Sequence, residues 1–238
     1  MQEELFGKSL DELTSISKNL GLPSFTGTQL SEWLYQKEIG GFEDMTNLSK
    51  KDRELLSSSY SLGLQNPVDV QESVDGTKKY LFPGTSGKFI EAAYIPDKDR
   101  ATVCVSSQVG CKMGCLFCMT GKQGFQGNLT AGEILNQFRS IPEWKKLTNI
   151  VYMGMGEPLL AYNNVLKSIE HITSEEGLHM SPRRITKSTA GIAKMIGKLA
   201  DDQSKVNLAL SLHAADDTKR NEIMPINEQN NLGVLMDA

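Results

Sequence analysis

The sequence predicts an α/β fold: a partial (β/α) barrel, preceded by a small amino-terminal helical domain and a short β meander. Two observations carry this. From Ala101 onward, apolar runs at residues 102–105, 149–153, 184–187 and 206–212 alternate with segments of helical period. That rhythm builds a parallel sheet through helical crossovers. All four runs also end in chemically suggestive residues: a cysteine loop, Gly154-Met-Gly-Glu157, Ser188-Thr189 and Ser211-Leu-His213. Ligands of such sheets sit at the carboxyl ends of the strands.

The elements follow in order. Ser9 and Glu12 form a capping box ahead of Leu10, Leu13 and Leu20, with Gly21 as the stop. Thr28 is expected to cap a second helix with Leu30, Trp33 and Leu34 on one face, closed by Gly40-Gly41, and Ser49 with Asp52 starts a third. Residues 1–62 are therefore expected to form an all-helical accessory domain. Residues 63–100 read as the meander. Alternation begins at Val68, Asp75-Gly76 is a hairpin signal before Lys79–Phe82, and a further strand at 88–95 follows a Gly84/Gly87 turn. Residues 101–238 carry the barrel. Helices are expected near 130, over 165–172 and over 192–199, and a last one starts near Asn231. The run at 206–212 is apolar almost throughout, as a parallel strand covered on both faces is. A six-unit barrel would need roughly 190 residues on the scale of the eight-unit one. Four units are readable, so a carboxyl-terminal truncation or an open barrel is expected.

The chain of 238 residues has ample length for a core, and its net charge of -4 gives no global attraction to nucleic acid. No run approaches a membrane span and the start, Met-Gln-Glu-Glu, lacks the basic region of a signal peptide. A cytoplasmic protein with no membrane partner is expected. Lys112, Lys122, Arg183, Arg184, Lys187, Lys194, Lys219 and Arg220 lie near or after strand ends. They offer a local basic rim, with an ordinary solvated face as the alternative.

All four cysteines fall within one stretch of fifteen residues, 104–118. In a cytosolic chain, such clustering suggests metal binding or catalysis before disulfides. Cys111, Cys115 and Cys118 follow a C-x3-C-x2-C spacing, and Cys104 stands apart. Cubane clusters normally take four thiolates. Three on one loop would leave one iron open to a substrate. Gly110 and Gly114 let that loop turn tightly. A structural zinc site using all four cysteines is the alternative, although zinc favours paired C-x2-C knuckles and only one such pair is present.

The triplet, with Phe117 before its last cysteine, resembles the radical S-adenosylmethionine (SAM) superfamily. Longer words narrow the resemblance: Cys104-Val-Ser-Ser-Gln-Val-Gly-Cys111, Thr120-Gly-Lys-Gln-Gly-Phe125, Met153-Gly-Met-Gly-Glu-Pro-Leu159, Ser211-Leu-His-Ala214 and Met224-Pro-Ile-Asn227. They are similar to the bacterial dual-specificity RNA methyltransferases, which methylate adenine C2 in 23S rRNA and in tRNA. The resemblance implies a radical SAM partial barrel and a [4Fe–4S] cluster on Cys111, Cys115 and Cys118, with SAM on the open iron. It places Gly156 and Glu157 at the SAM amino group, Ser188 as a SAM contact, and Ser211, Leu212 and His213 at the ribose and carboxylate. Cys104 matches the thiol that resolves the enzyme–RNA adduct, and Glu91 the proton acceptor. Read without the resemblance, Glu91 is a solvated strand residue, Ser188 a helix cap and His213 a satisfied histidine.

The implied partners are 23S rRNA, tRNA and an external flavodoxin-like electron donor, for a monomeric enzyme. Methylation in this family passes through a late methyl-carrying cysteine. No cysteine follows Cys118 here, so that residue and a late SAM-contacting asparagine are expected beyond Ala238, and the 238 residues alone are expected to be incomplete for methyl transfer. The chain also has Ser188-Thr-Ala-Gly191 where the family usually has Ser-Thr-Ser-Gly. A C8-directed rRNA methyltransferase of the same superfamily is one alternative. A non-catalytic RNA-binding protein with a zinc-stabilised loop is the other.

Overall fold

Ser9 opens the first helix as the capping box predicts. Its hydroxyl accepts the Glu12 N–H at 3.3 Å, and the Glu12 carboxylate accepts the Ser9 N–H at 2.6 Å. A computed structural model describes residues 2–84 and 87–238 of the chain. They form two units: Met1–Leu64 with Leu166–Met180, and Gln65–Val165 with Ser181–Ala238.

The first unit holds α1 (Leu10–Asn19), α2 (Thr26–Ser31) and α3 (Lys50–Ser59), the last capped by the Ser49 hydroxyl. The expected cap at Thr28 is corrected. The helix starts three residues earlier behind Phe25, because the turn at Pro23 already directs the Thr26 N–H to the Pro23 carbonyl. Gly27 lets α2 approach α1 closely: a Cβ there would lie 2.5 Å from the Thr14 hydroxyl. α2 runs on as a π-helical turn, Glu32–Gln36. The all-helical expectation also needs correction, since Glu3–Glu4 pairs in parallel with Tyr60–Ser61. Leu5, Leu13, Leu30, Leu34 and Leu56 are fully buried beneath these elements. His171 stacks on Tyr35 at 4.8 Å and contacts the Gly7 carbonyl.

The second unit is built on one seven-stranded sheet. Its strands are β1 (Asp69–Glu72), β2 (Lys78–Pro83), β3 (Phe89–Asp97), β4 (Arg100–Cys104), β5 (Asn149–Tyr152), β6 (Ile185–Thr189) and β7 (Asn207–Leu210). Spatial order follows chain order, from β1 at one edge to β7 at the other. The pairs from β1 to β4 are antiparallel and those from β4 to β7 parallel. The meander is thus continuous with the barrel wall, and β4 is the strand where the pairing changes sense. Asp97 pairs with Arg100 across a two-residue turn in which Lys98 takes a left-handed φ of 49°. The turn expected over Gly84 to Gly87 lies partly outside the described residues, at Thr85 and Ser86.

The helices of this unit include α4 (Ala131–Arg139), opened by a Thr130–Glu133 capping box, and α6 (Ala193–Asp201). Between them α5 (Tyr162–Thr173) begins. α7 (Asp217–Ile223) was not legible, whereas α8 (Leu232–Asp237) starts at Asn231 as expected. Among the described residues no helix is long and apolar enough to cross a membrane.

Among the described residues β7 is the last strand of the sheet, with Asn207 and Leu208 exposed. Two sequence expectations fail on burial or position. Arg183 and Arg184 form a turn before β6, at the amino end of the strand, away from the carboxyl ends where a rim would lie. Lys187 and Arg220 are fully buried and cannot belong to a solvated rim.

Burial pushes the Lys187 ammonium down to about 8, and its Nζ donates to the Ser204 hydroxyl at 3.1 Å. Below that value the protein carries a buried charge, which is relieved as pH rises toward the unfolded lysine range. Lys187→Met is expected to stabilise the chain at pH 7 by about 1–3 kcal/mol. The gain should shrink above pH 8, as read by denaturant melts across pH. Glu143, also buried, is the converse case. Burial raises its carboxyl, but hydrogen bonds from Tyr80 Oη at 2.7 Å and Lys78 Nζ at 2.9 Å outweigh that and hold it below its ordinary value. Tyr80→Phe should cost about 1–2 kcal/mol at neutral pH. In wild type the stabilisation from Glu143 is present at neutral pH and should be lost as pH falls below about 4.3. The same melts, extended to acid, check both.

Candidate active site

Because β4 to β7 are mutually parallel, their carboxyl ends share one edge of the sheet, and the residues after each strand meet there. The cysteine loop leaves β4. Its base is closed where Gln108–Val109 pairs with Gly127–Asn128. Gly110 has φ +71° and passes so close to Gly124 that a Cβ would lie 1.7 Å from the Gly124 carbonyl oxygen. Gly114 has φ +64° with open space around it, its nearest neighbour being Pro225 at 4.0 Å. Past Cys118, a single helical turn, Met119–Lys122, returns the chain.

Cys111 and Cys115 are buried, Cys118 is half-buried, and all three are free thiols. Burial pushes the Cys111 and Cys115 thiols up, and charge on Cys118 adds to the shift of both. The three are therefore near enough to feel one another. Among the described residues, no three His, Cys, Asp or Glu side chains converge as tightly as a single metal ion requires. Three thiols on one loop are the donor type that iron–sulfur clusters take. Leu116, Phe117 and Met119 stand exposed beside them.

The turn after β5 locks onto the start of the cysteine loop. The Ser107 and Gln108 N–H groups both donate to the Met155 carbonyl. The Ser106 hydroxyl accepts from the Met155 N–H at 2.9 Å and donates to the Glu91 carbonyl at 2.6 Å. The fully buried Gln137 amide brackets the Ser106 backbone from α4, accepting its N–H at 2.7 Å and donating to its carbonyl at 2.9 Å. Gly156, at φ +99°, is required here, since a Cβ would strike the Gln108 side chain at 2.5 Å.

Glu157 is 2% exposed, and burial pushes its carboxyl up. One oxygen accepts the Leu159 N–H at 3.1 Å and the other the Ala190 N–H at 2.7 Å, so the side chain braces the β5 turn against the β6 turn. The Thr189 hydroxyl also donates to this carboxylate. Ser188, half-buried, donates its hydroxyl to the Tyr152 carbonyl at 3.0 Å. The Ser211 N–H donates to the Thr189 carbonyl at 2.9 Å. Leu212 and His213 are exposed, and His213 adopts a left-handed φ of 59°, rare for a non-glycine residue. Its ring lies 4.3 Å from that of Phe117, joining the end of β7 to the cysteine loop.

Cys104 closes β4, and Glu91 lies level with Ser106 just past it. Cys104 is half-buried, its thiol raised by burial and partly lowered by the Met153 N–H. It pairs with Ala93 on β3 and with Val151 on β5. Glu91, two residues from Ala93, therefore shares the Cys104 face. Ser188, two residues beyond the partner of Val151, does so too. Glu91 is exposed and ion-paired with Lys79 at 3.1 Å.

All the expected residues thus fall on one sheet face or its carboxyl rim. What the sequence reading missed is the buried polar scaffold: Ser106, Gln108, Gln137 and Arg220. Ser106 and Gln108 sit inside the Cys104–Cys111 word, but their geometry depends on partners fifteen to forty-nine residues away.

Comparison with known proteins places the chain. The model of the radical SAM superfamily matches residues 105–233, more than half the chain, and that of the ribosomal RNA large subunit methyltransferase N-terminal domain matches residues 3–62. A probable dual-specificity RNA methyltransferase RlmN of Bacteroides fragilis is 52% identical over 93% of this chain. Its counterpart in Porphyromonas gingivalis is 53% identical over the same share. The chain spans 64% of the length of each of these curated relatives. A crystal structure of a radical SAM methyltransferase from Sphaerobacter thermophilus superposes with a TM-score of 0.93 at 37% identity, covering 99% of this chain and 71% of that one. With the cysteine loop, the strand-end rim and these matches in agreement, the chain belongs to the radical SAM superfamily, in its RlmN-type methyltransferase branch.

Proposed function

We propose that the chain carries the cluster- and SAM-binding part of an RNA methyltransferase that modifies adenine C2 in 23S rRNA and tRNA through a methyl-cysteine intermediate. The supporting observation is the convergence of three free cysteines, the Gly156-Glu157 turn, Ser188 and residues 211–213 on one strand-end rim, in a chain about half identical to RlmN-type relatives. Cys111, Cys115 and Cys118 would hold a [4Fe–4S] cluster. Bound there with SAM, the cluster would supply the one-electron chemistry that an adenine carbon without useful acidity demands.

The protein's own residues bind and orient. The turn at Gly156-Glu157 presents carbonyls and a carboxylate to the SAM amino group, while Ser188 and residues 211–213 line the rest of SAM. Phe117 and His213 form an apolar wall beside the cysteines. Cys104 and Glu91 share one wall face: Glu91 accepts the proton lost from the methylated base, and the Cys104 thiolate attacks the sulfur of the methyl-carrying cysteine, forming a disulfide as the sulfur–carbon bond to the RNA breaks and that carbon takes up a proton. Because burial raises the Cys104 thiol, it stays protonated at neutral pH until a base takes its proton. Electrons arrive from an external flavodoxin-like donor, and the working compartment is the cytoplasm.

Anaerobic reconstitution with iron and sulfide tests the reading. The chain should turn brown, take up about four irons, cleave SAM on reduction, and bind 23S rRNA fragments and tRNA competitively. Stoichiometric zinc with no cluster would sink it. The loop glycines give a sharper check. Gly110→Ala adds a clash with backbone to the strain of a left-handed φ, whereas Gly114→Ala adds only the strain, about 1 kcal/mol. Iron content should fall severely in the first variant and remain near wild type in the second.

A further inference from the structure

Arg220 is fully buried at the first turns of α7, and it is not spent on a carboxylate. Its acceptors are three main-chain carbonyls and one amide. Nε donates to Leu212 O at 3.1 Å, and Nη2 to Ala190 O at 2.6 Å and Ser211 O at 3.3 Å. Nη1 donates to the Asn227 Oδ1. Two of these carbonyls follow β7 and one follows β6. A guanidinium can bridge them because its planar fork presents five donors in fixed directions, whereas an ammonium is a single point.

The anchor itself is anchored. Asn227, 1% exposed, donates to Asp217 Oδ1 at 2.9 Å and to Asn221 Oδ1 at 2.7 Å. The segment bearing Arg220 and Asn227 also reaches the cysteine loop, where the Leu116 N–H donates to Ile223 O at 2.9 Å. Gly191, at φ +103°, packs so closely that a Cβ would lie 3.2 Å from Arg220 Nη2. The Ala190 peptide is consequently held at both ends, its N–H by Glu157 and its carbonyl by Arg220.

We propose that Arg220 is a positioning residue for SAM: its guanidinium fixes the Ser188–Gly191 turn and residues 211–213 at a set spacing from each other and from the cysteine loop. This rests on the SAM reading above. Arg220 touches neither cluster nor SAM; it acts through the carbonyls of the residues flanking Ser188 and preceding His213. Lysine in its place keeps the charge but cannot reach both strand ends at once.

The test uses the 238-residue chain and its Arg220→Lys variant, with and without reconstituted cluster. Iron per chain and the electron paramagnetic resonance signal of the reduced cluster should match wild type. The SAM concentration that half-converts that signal should rise about tenfold, the loss of roughly one charge-assisted hydrogen bond. In the cluster-free proteins, hydrogen exchange should quicken over residues 188–191 and 211–213 and stay unchanged over Asn149–Tyr152; a merely structural loss would loosen the whole sheet. SAM half-conversion within about twofold of wild type, below the effect of one such bond, would overturn the proposal, as would uniform loosening. If Arg220→Lys does not fold, Asn227→Ala decides: it removes one acceptor and leaves the carbonyl bonds, so SAM half-conversion should rise about threefold, and a wild-type value refutes the role. A wild-type chain that takes up cluster but ignores SAM would instead refute the SAM reading, leaving the exchange data to judge Arg220 alone.

Discussion

The peptide unit of Ala190 is the point on which the rim depends. Parallel strands deliver their last carbonyls and the first N–H groups of the following loops to one edge, where no further ladder partner exists. Each such group, once buried, must find a partner or cost about 1–3 kcal/mol. Here Glu157 takes the N–H and Arg220 takes the carbonyl, so an acid from the β5 turn and a base from α7 meet across a single residue of the β6 turn. The same logic recurs at Ser106, bracketed by Gln137 and tied to Met155 and Glu91. Polar groups that would be liabilities in the core become the fixtures of the loops.

Those fixtures explain why the glycines fall where they do. A brace works only over a short distance, and the loops approach one another until a single methyl group would not fit. Gly156 against Gln108 and Gly110 against Gly124 are the tightest such approaches. Flexible residues therefore occur in the most constrained part of the molecule. Their freedom is used once, to reach left-handed φ, and is then removed by neighbours.

What the sequence made legible was local. The Ser9–Glu12 box was readable because both partners lie within four residues. The strand–helix alternation was readable because period is a local property. The start of α2 was misplaced because a turn at Pro23, not the side chain of Thr28, decides it. Lys187 and Arg220 looked like surface cations, since charge usually means solvent. The carbonyl Arg220 serves at Ala190 is thirty residues away, and no short motif announces such a pairing. The cysteine spacing was legible as three thiols on one loop, but the shared face of Cys104 and Glu91 depends on strand register and was not.

That register has its own guardian in the two-residue turn between β3 and β4. Lys98, at φ 49°, closes it without glycine, and Asp97 opposite Arg100 fixes every later pair down to Ala93 opposite Cys104. Strand side chains alternate faces, so a slip of one residue would carry Glu91 to the far side of the sheet while leaving Cys104 in place. An insertion in this hairpin, on the surface and distant from the cysteines, would separate the two groups as completely as deleting either. Tolerance to insertion, usually a property of exposed turns, is withheld at this one by the geometry it sets several residues away.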